Sequence, residues 1–245
     1  MTTLLLLFLT TFPGVRIAGL PTGALLETGR WQVDISHRFA IPVFASGWSE
    51  DPLQALIASN TYVALDHAPV RGLALGLGLC PTDRVAEVHA LWQPSGLGRF
   101  YLLPQVSTGL RNLSLENTWF AIGAGVPLAP IRSIALSALP RFTTNTTSHY
   151  VSLGLGAKLE LGPDFRLGLE TEPLLYRIEP GHSGFGLSPD SLAWNLAFER
   201  ELGWHNFVLT LGSARASIPP YSFRDGIVGL GAGGFRIGFH VLRKL

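Results

Sequence analysis

Leucines 73, 75, 77 and 79 alternate with glycine or alanine, and this period of two constrains the fold more than any other feature of the chain. Successive side chains of a strand point to opposite faces, so a two-residue period writes an apolar face and a contrasting one. The pattern recurs along the chain. Val151, Leu153, Leu155, Ala157, Leu159 and Leu161 oppose Ser152, Gly154, Gly156, Lys158 and Glu160. Phe165, Leu167 and Leu169 oppose Arg166, Gly168 and Glu170, and Leu192, Trp194, Leu196 and Phe198 oppose Ala193, Asn195, Ala197 and Glu199. Phe235, Ile237, Phe239 and Val241 oppose Arg236, Gly238 and His240. The earliest copy sets Trp31, Val33, Ile35, Phe39 and Ile41 against Gln32, Asp34, Ser36 and Arg38, with His37 alone on the apolar side.

Further copies occupy NTYVALD, RVAEVHALW, RFYLLPQVST, NTWFAIGAGV, RSIALSAL and NFVLTLG, giving twelve candidate strands. No segment between them has a 3.6-residue period, so helical crossovers are absent and the sheet is expected to be an antiparallel meander. Alternation alone does not say which face is wet. A soluble ligand-binding barrel hides its leucines inside, and a membrane barrel turns them outward. Three features favour the membrane. The contrasting face is glycine, alanine and serine with sparse charge, which suits a crowded lumen. Several segments are about nine to eleven residues long, the length a tilted strand needs to cross hydrocarbon. Finally, the links alternate. DHAPV, QPSGLG, PLAPI, GPD and ERELGW are short, whereas Pro42 to Ala58, Pro173 to Pro189 and Ser213 to Gly234 are long, PRFTTNTTS is intermediate, and only CPTD breaks the rule. Short turns on one rim and long loops on the other are the build of outer-membrane barrels, with both termini on the short-turn, periplasmic side. The expected fold is therefore all-β: a transmembrane antiparallel up-and-down barrel of about 12 strands.

Three stretches carry a family resemblance: ISHRF at Ile35 to Phe39, VALDHAPVRGLALGLGL, and GWHNFVLTLGSA with the terminal RIGFHVLRKL. Together they resemble an uncharacterised bacterial family of membrane-bound β-barrels, a domain of unknown function. The resemblance implies an outer-membrane barrel and brings no assigned activity. The chain departs from many such barrels at Leu245, where an aromatic last residue is expected.

The first residues read differently from the rest. An apolar run from Leu4 to Phe12 is followed by Pro13 and small residues, like the core of a secretory signal, although no Lys or Arg precedes it. Cleavage after Gly19 or Ala24 fits the small-residue rule, so residues 1–24 read as signal peptide and lead-in and 25–245 as one outer-membrane barrel domain. Charged residues are 14% of the chain, against roughly 25% in soluble domains, and the net charge is +1. That balance argues against a nucleic-acid partner. The expected partners are the lipid bilayer, the outer-membrane assembly machinery and a small solute. The single cysteine, Cys80, has no second cysteine for a disulfide or a zinc site.

The candidate functional residues are the polar ones that parity sends inward: Asp34, Arg38, Glu87, His89, Lys158, Glu160, Arg166, Glu170, Glu199 and Arg236. Their charges nearly cancel, which suits either an internal salt-bridge plug or a selectivity lining. Arg236, on the last strand, is expected to close against the first, where Asp34 and Arg38 point inward. Glu87 and His89 share a face, but two ligands do not make a metal site, and a lumenal hydrogen-bond network is expected there. Gly229 to Gly234 has G-x-G-x-x-G spacing without the following helix that dinucleotide binding needs. Ser36 with His37 and Ser148 with His149 are sequence neighbours and so lie on opposite faces, which defeats a nucleophile–base pair within one strand. No catalytic residue, metal or cofactor is assigned. The expected function is a non-enzymatic narrow channel or a structural or binding barrel. The alternatives are a barrel enzyme of lipase or acyltransferase type, and a soluble ligand-binding barrel.

Overall fold

In the computed structural model, residues 16–17, 20–21, 25–39, 59–97, 100–111, 113–131, 133–185, 192–213 and 236–245 are described. Twelve strands form the wall. They are β1 (Trp31–Phe39), β2 (Ser59–Val70), β3 (Leu73–Cys80), β4 (Val85–Trp92), β5 (Tyr101–Gly109) and β6 (Thr118–Ile131). The second half comprises β7 (Ile134–Thr144), β8 (His149–Glu160), β9 (Phe165–Glu179), β10 (Leu192–Leu202), β11 (His205–Gly212) and β12 (Arg236–Lys244). Each strand pairs antiparallel with the next in sequence, and β12 pairs with β1 through Leu242 opposite Asp34 and Val241 opposite Ile35, so the sheet closes. Closure leaves no unpaired edge for lipid to penalise. A four-residue return strand, His182–Phe185, extends the upper end of β9.

Leu75, Leu77 and Leu79 are 46%, 60% and 41% exposed, as are comparable outward residues on every side of the wall, while the alternate residues are buried. A continuous apolar exterior of this kind belongs against acyl chains, so the leucine face of β3 meets lipid. Trp31, Trp92 and Trp204 project at the short-turn rim, where Trp31 stacks on His67 at 4.0 Å and the Arg30 guanidinium lies 5.5 Å from the Trp204 ring. Aromatic rings at that height mark a membrane interface. The two ends of the barrel domain meet on the same rim, where Trp31 and Leu245 exchange backbone hydrogen bonds.

The strands run longer than the sequence pattern predicts. DHAPV and PLAPI, read above as turns, are the ends of β2 and β6, leaving Arg71–Gly72 as the reversal after β2 and only two residues between β6 and β7. The prolines mislead because they lack a ladder donor. Pro69 and Pro130 fall where the register shifts, between His67 and Val70 and between Leu128 and Ile131, so the missing N–H sits at a bulge. Likewise PRFTTNTTS contracts to a loop of 145–148, and β9 runs through Glu179. The stretch from Pro42 to Ala58, the glycine motif at Gly229 to Gly234 and most of the last long loop lie outside the described residues.

Candidate functional site

The inner wall carries the chemistry, and glycine decides where it gathers. On β3, Gly76 stands between Asp66 of β2 and His89 of β4 in one row, and Gly78 stands between Ala64 and Glu87 in the next. A Cβ at Gly76 would overlap Asp66 Oδ1 and His89 Nε2, and one at Gly78 would overlap the Tyr62 ring and hydroxyl. With no side chain in the way, residues from strands that are not neighbours meet over β3. His89 Nε2 lies 2.7 Å from Asp66 Oδ1, and His89 Nδ1 lies 2.7 Å from Glu87 Oε1. The Tyr62 hydroxyl donates to Glu87 Oε1 at 3.2 Å. The imidazole stands between two carboxylates, hydrogen-bonded to Asp66 through Nε2 and with Glu87 close to Nδ1. The cluster thus ties β2 to β4 across the glycines of β3, and its side chains are buried.

A second cluster fills the wall from β8 to β11. Lys158 pairs with Glu199, and Arg166 donates to Glu199 Oε1 at 3.1 Å and to Glu201 Oε2 at 2.8 Å. Asn206 Nδ2 donates to Glu199 Oε1 at 2.8 Å. Lys158, Arg166 and Glu199 are only 1%, 3% and 4% exposed, so this part of the lumen is packed with side chains and is not an open aqueous bore. Nearby, Arg141 and Ser152 both donate to Glu172 Oε1 at 2.8 Å, and Asn195 donates to Glu170 at 2.6 Å.

The residues singled out by parity are placed as follows. Asp34, Glu87, His89, Lys158, Arg166, Glu170, Glu199 and Arg236 are buried on the inner wall, and Glu160 is half-buried at the short-turn end of β8. Arg38 lies on β1 opposite Gly238, with its side chain outside the described set. Arg236 begins β12, which closes against β1 as expected; its Nη1 donates to the Ser213 carbonyl at 2.9 Å, just beyond β11, and the register sets Asp34 opposite Leu242, well down the strand. Arg141 and Glu201 fell in segments that read as links, and Asp66, Glu172 and Asn206 stood at the ends of candidate strands, where no face was assigned to them. The usable signal was parity carried through proline, since Asp66 keeps step with Tyr62, Ala64 and Ala68, and Arg141 with Leu139 and Thr143.

The outer face holds two hydroxyl–imidazole pairs near the long-loop rim. Thr61 Oγ1 lies 2.9 Å from His37 Nδ1, and Thr144 Oγ1 lies 2.6 Å from His149 Nδ1. Each imidazole also stacks on an aromatic ring, His37 on Phe239 and His149 on Phe142. His37, the one blemish on the first apolar face, is thus satisfied across strands. Among the described residues no group of three or more His, Cys, Asp or Glu is arranged to hold a metal ion.

No protein-family model matches the chain, and no curated protein matches it by sequence. Solved structures do match. The KdgM porin is 11% identical with a TM-score of 0.53, covering 86% of this chain and 98% of its own. The NanC porin is 8% identical with a TM-score of 0.52, covering 88% and 100%. The COG4313 outer membrane channel from Pseudomonas putida F1 is 10% identical with a TM-score of 0.50, covering 90% and 97%. At these identities the likeness is one of fold: the chain is an antiparallel barrel of the outer-membrane type.

Proposed function

We propose that this chain is a non-enzymatic barrel of the bacterial outer membrane, a narrow channel with a polar, partly filled lumen that passes only small solutes. Residues 1–24 are its signal peptide and lead-in, and residues 25–245 its single barrel domain. The observation that carries the reading is the burial and pairing of the inner-wall charges, above all Lys158 and Arg166 on Glu199. A wide pore keeps its charges hydrated so that ions sense them, whereas a lining that spends its charges on one another leaves only a narrow path. The likeness of fold to porins and an outer-membrane channel supports this class of function.

A lipid enzyme would draw on the outward Thr61–His37 and Thr144–His149 pairs. Their aromatic stacking instead fits them to an interfacial belt, where polar tips and rings sit at headgroup height. The test is single-channel conductance of the purified protein in a planar bilayer, run beside a phospholipid hydrolysis assay. Small discrete conductance steps and no fatty-acid release are expected. Hydrolysis that is lost on His37→Ala or His149→Ala would replace the channel with the enzyme. An epitope at Ser183 should be reachable on intact cells and one at Pro163 should not.

A further inference from the structure

Among the described residues the inner wall carries four buried apolar clusters between its polar rows, and the largest of them lies beside the β2–β4 charges. Ala74, Leu91, Tyr101, Leu103 and Leu139, from β3, β4, β5 and β7, form a buried apolar cluster inside the barrel. Glycine shapes this sector too, for a Cβ at Gly123 would press on Leu139 and one at Gly125 would overlap Tyr101. An apolar patch facing a charged lumen would be exposed to water unless something covered it.

What covers it comes from the chain itself. Leu25 packs against the cluster, and Leu26 is buried. A turn at the short-turn rim explains how they get there. Gly29 has φ of 82°, a left-handed conformation suited to glycine, and its N–H donates to the Ala68 carbonyl at 2.7 Å. Ala68 N–H donates in return to the Arg30 carbonyl at 3.1 Å. Pinned on both sides to the lower end of β2, the chain reverses between Glu27 and Arg30, so that β1 climbs the wall while the residues before the turn re-enter the lumen. Both leucines survive signal cleavage after Gly19 or after Ala24.

We propose that Leu25 and Leu26 are a lumenal stopper: a short arm hinged at Thr28–Gly29 and seated on the apolar patch, which must leave the patch for a solute to pass. Its consequence for transport rests on the channel reading; its seat does not. An arm with Leu25 on the patch and Leu26 buried, hinged on glycine, is suited to opening without unfolding the wall, because a locally opened state is commonly populated at ~0.1–10%.

The experiment uses the full-length protein carrying Cys80→Ser, with Leu103→Cys as a reporter beneath the arm. Its labelling by a charged, membrane-impermeant thiol reagent is compared with and without Leu25→Asp/Leu26→Asp, alongside conductance. The stopper predicts slow labelling that speeds up at least about tenfold when the arm is ejected. Faster labelling with larger conductance supports both stopper and channel. Faster labelling with conductance at noise keeps the stopper and ends the channel reading. Unchanged labelling overturns the stopper, whatever the conductance does. Should the aspartate variant fail to fold, a Leu25→Cys/Leu103→Cys pair in the Cys80→Ser background decides: intramolecular cross-linking by a flexible bis-thiol reagent long enough to span the patch supports the seat, and its absence overturns it.

Discussion

Over β3, Gly76 lets Asp66 and His89 touch; over β9, Gly168 lies opposite Lys158 and next to Ala197, and Lys158 reaches past it to Glu199. Both sectors use a glycine on a middle strand to let the flanking strands interact, yet they differ in reach. Asp66 and His89 are short and planar, so their hydrogen bond has to lie directly on the glycine. Lysine has a flexible four-carbon stem and can arch. They differ in charge as well. The β2–β4 sector sets two carboxylates around one imidazole, whereas the β8–β11 sector shares two carboxylates, Glu199 and Glu201, between Lys158 and Arg166. One sector is therefore sensitive to volume and the other to the loss of a single charge.

The largest expected effect tests the charge half of that contrast. Glu199→Gln strips Lys158 and Arg166 of their shared partner and should destabilise the barrel by ~3–5 kcal/mol, since an uncompensated buried charge remains. The check is the urea midpoint of the compact, fast-migrating form on unheated gels, and an unchanged midpoint would show the sector to be hydrated. Next comes the outer face of β3, where Leu75→Arg should cost ~2–4 kcal/mol in liposomes if that leucine meets mid-bilayer lipid.

The volume half is tested on the inner face of the same strand. Gly76→Ala should cost ~1–3 kcal/mol by overpacking against Asp66 and His89. Gly168→Ala should cost clearly less, because Lys158 can yield, and equal costs would break the comparison. A double-mutant cycle of Gly76→Ala with His89→Ala should be non-additive, with the glycine mutation nearly harmless once the ring is gone. The smallest effect belongs to the rim. Thr61→Val removes one hydrogen bond to His37 and should cost ~0.5–1.5 kcal/mol with no loss of folding yield.

These expectations correct a reading that parity alone invites. Facing inward, Gly76 appears to be a roomy lumenal position where a small polar residue would be accepted. In the folded barrel it is the tightest point of the β2–β4 cluster. Parity is a one-strand property and says which way a residue points. It does not say what arrives from the strands on either side.

The alternation of leucine and glycine, written residue by residue, determined that this chain forms strands, and the sparse charge of the contrasting face, the strand lengths and the alternation of short and long links determined that the strands make a barrel with its leucines in lipid. These follow from backbone geometry and burial, which act locally and repeat. Register decided the rest. Which inward residue stands in which row depends on where strands end and where bulges fall, and the bulges beside Pro69 and Pro130 set that for β2 and β6. Only then do Asp66, Gly76 and His89 share a row, and only then does Arg236 lie beside Ser213 instead of Asp34. A shift of two residues would keep every side chain on its face and exchange every partner. The faces were therefore legible in the sequence, and the pairs that give the lumen its chemistry were settled by the closed sheet.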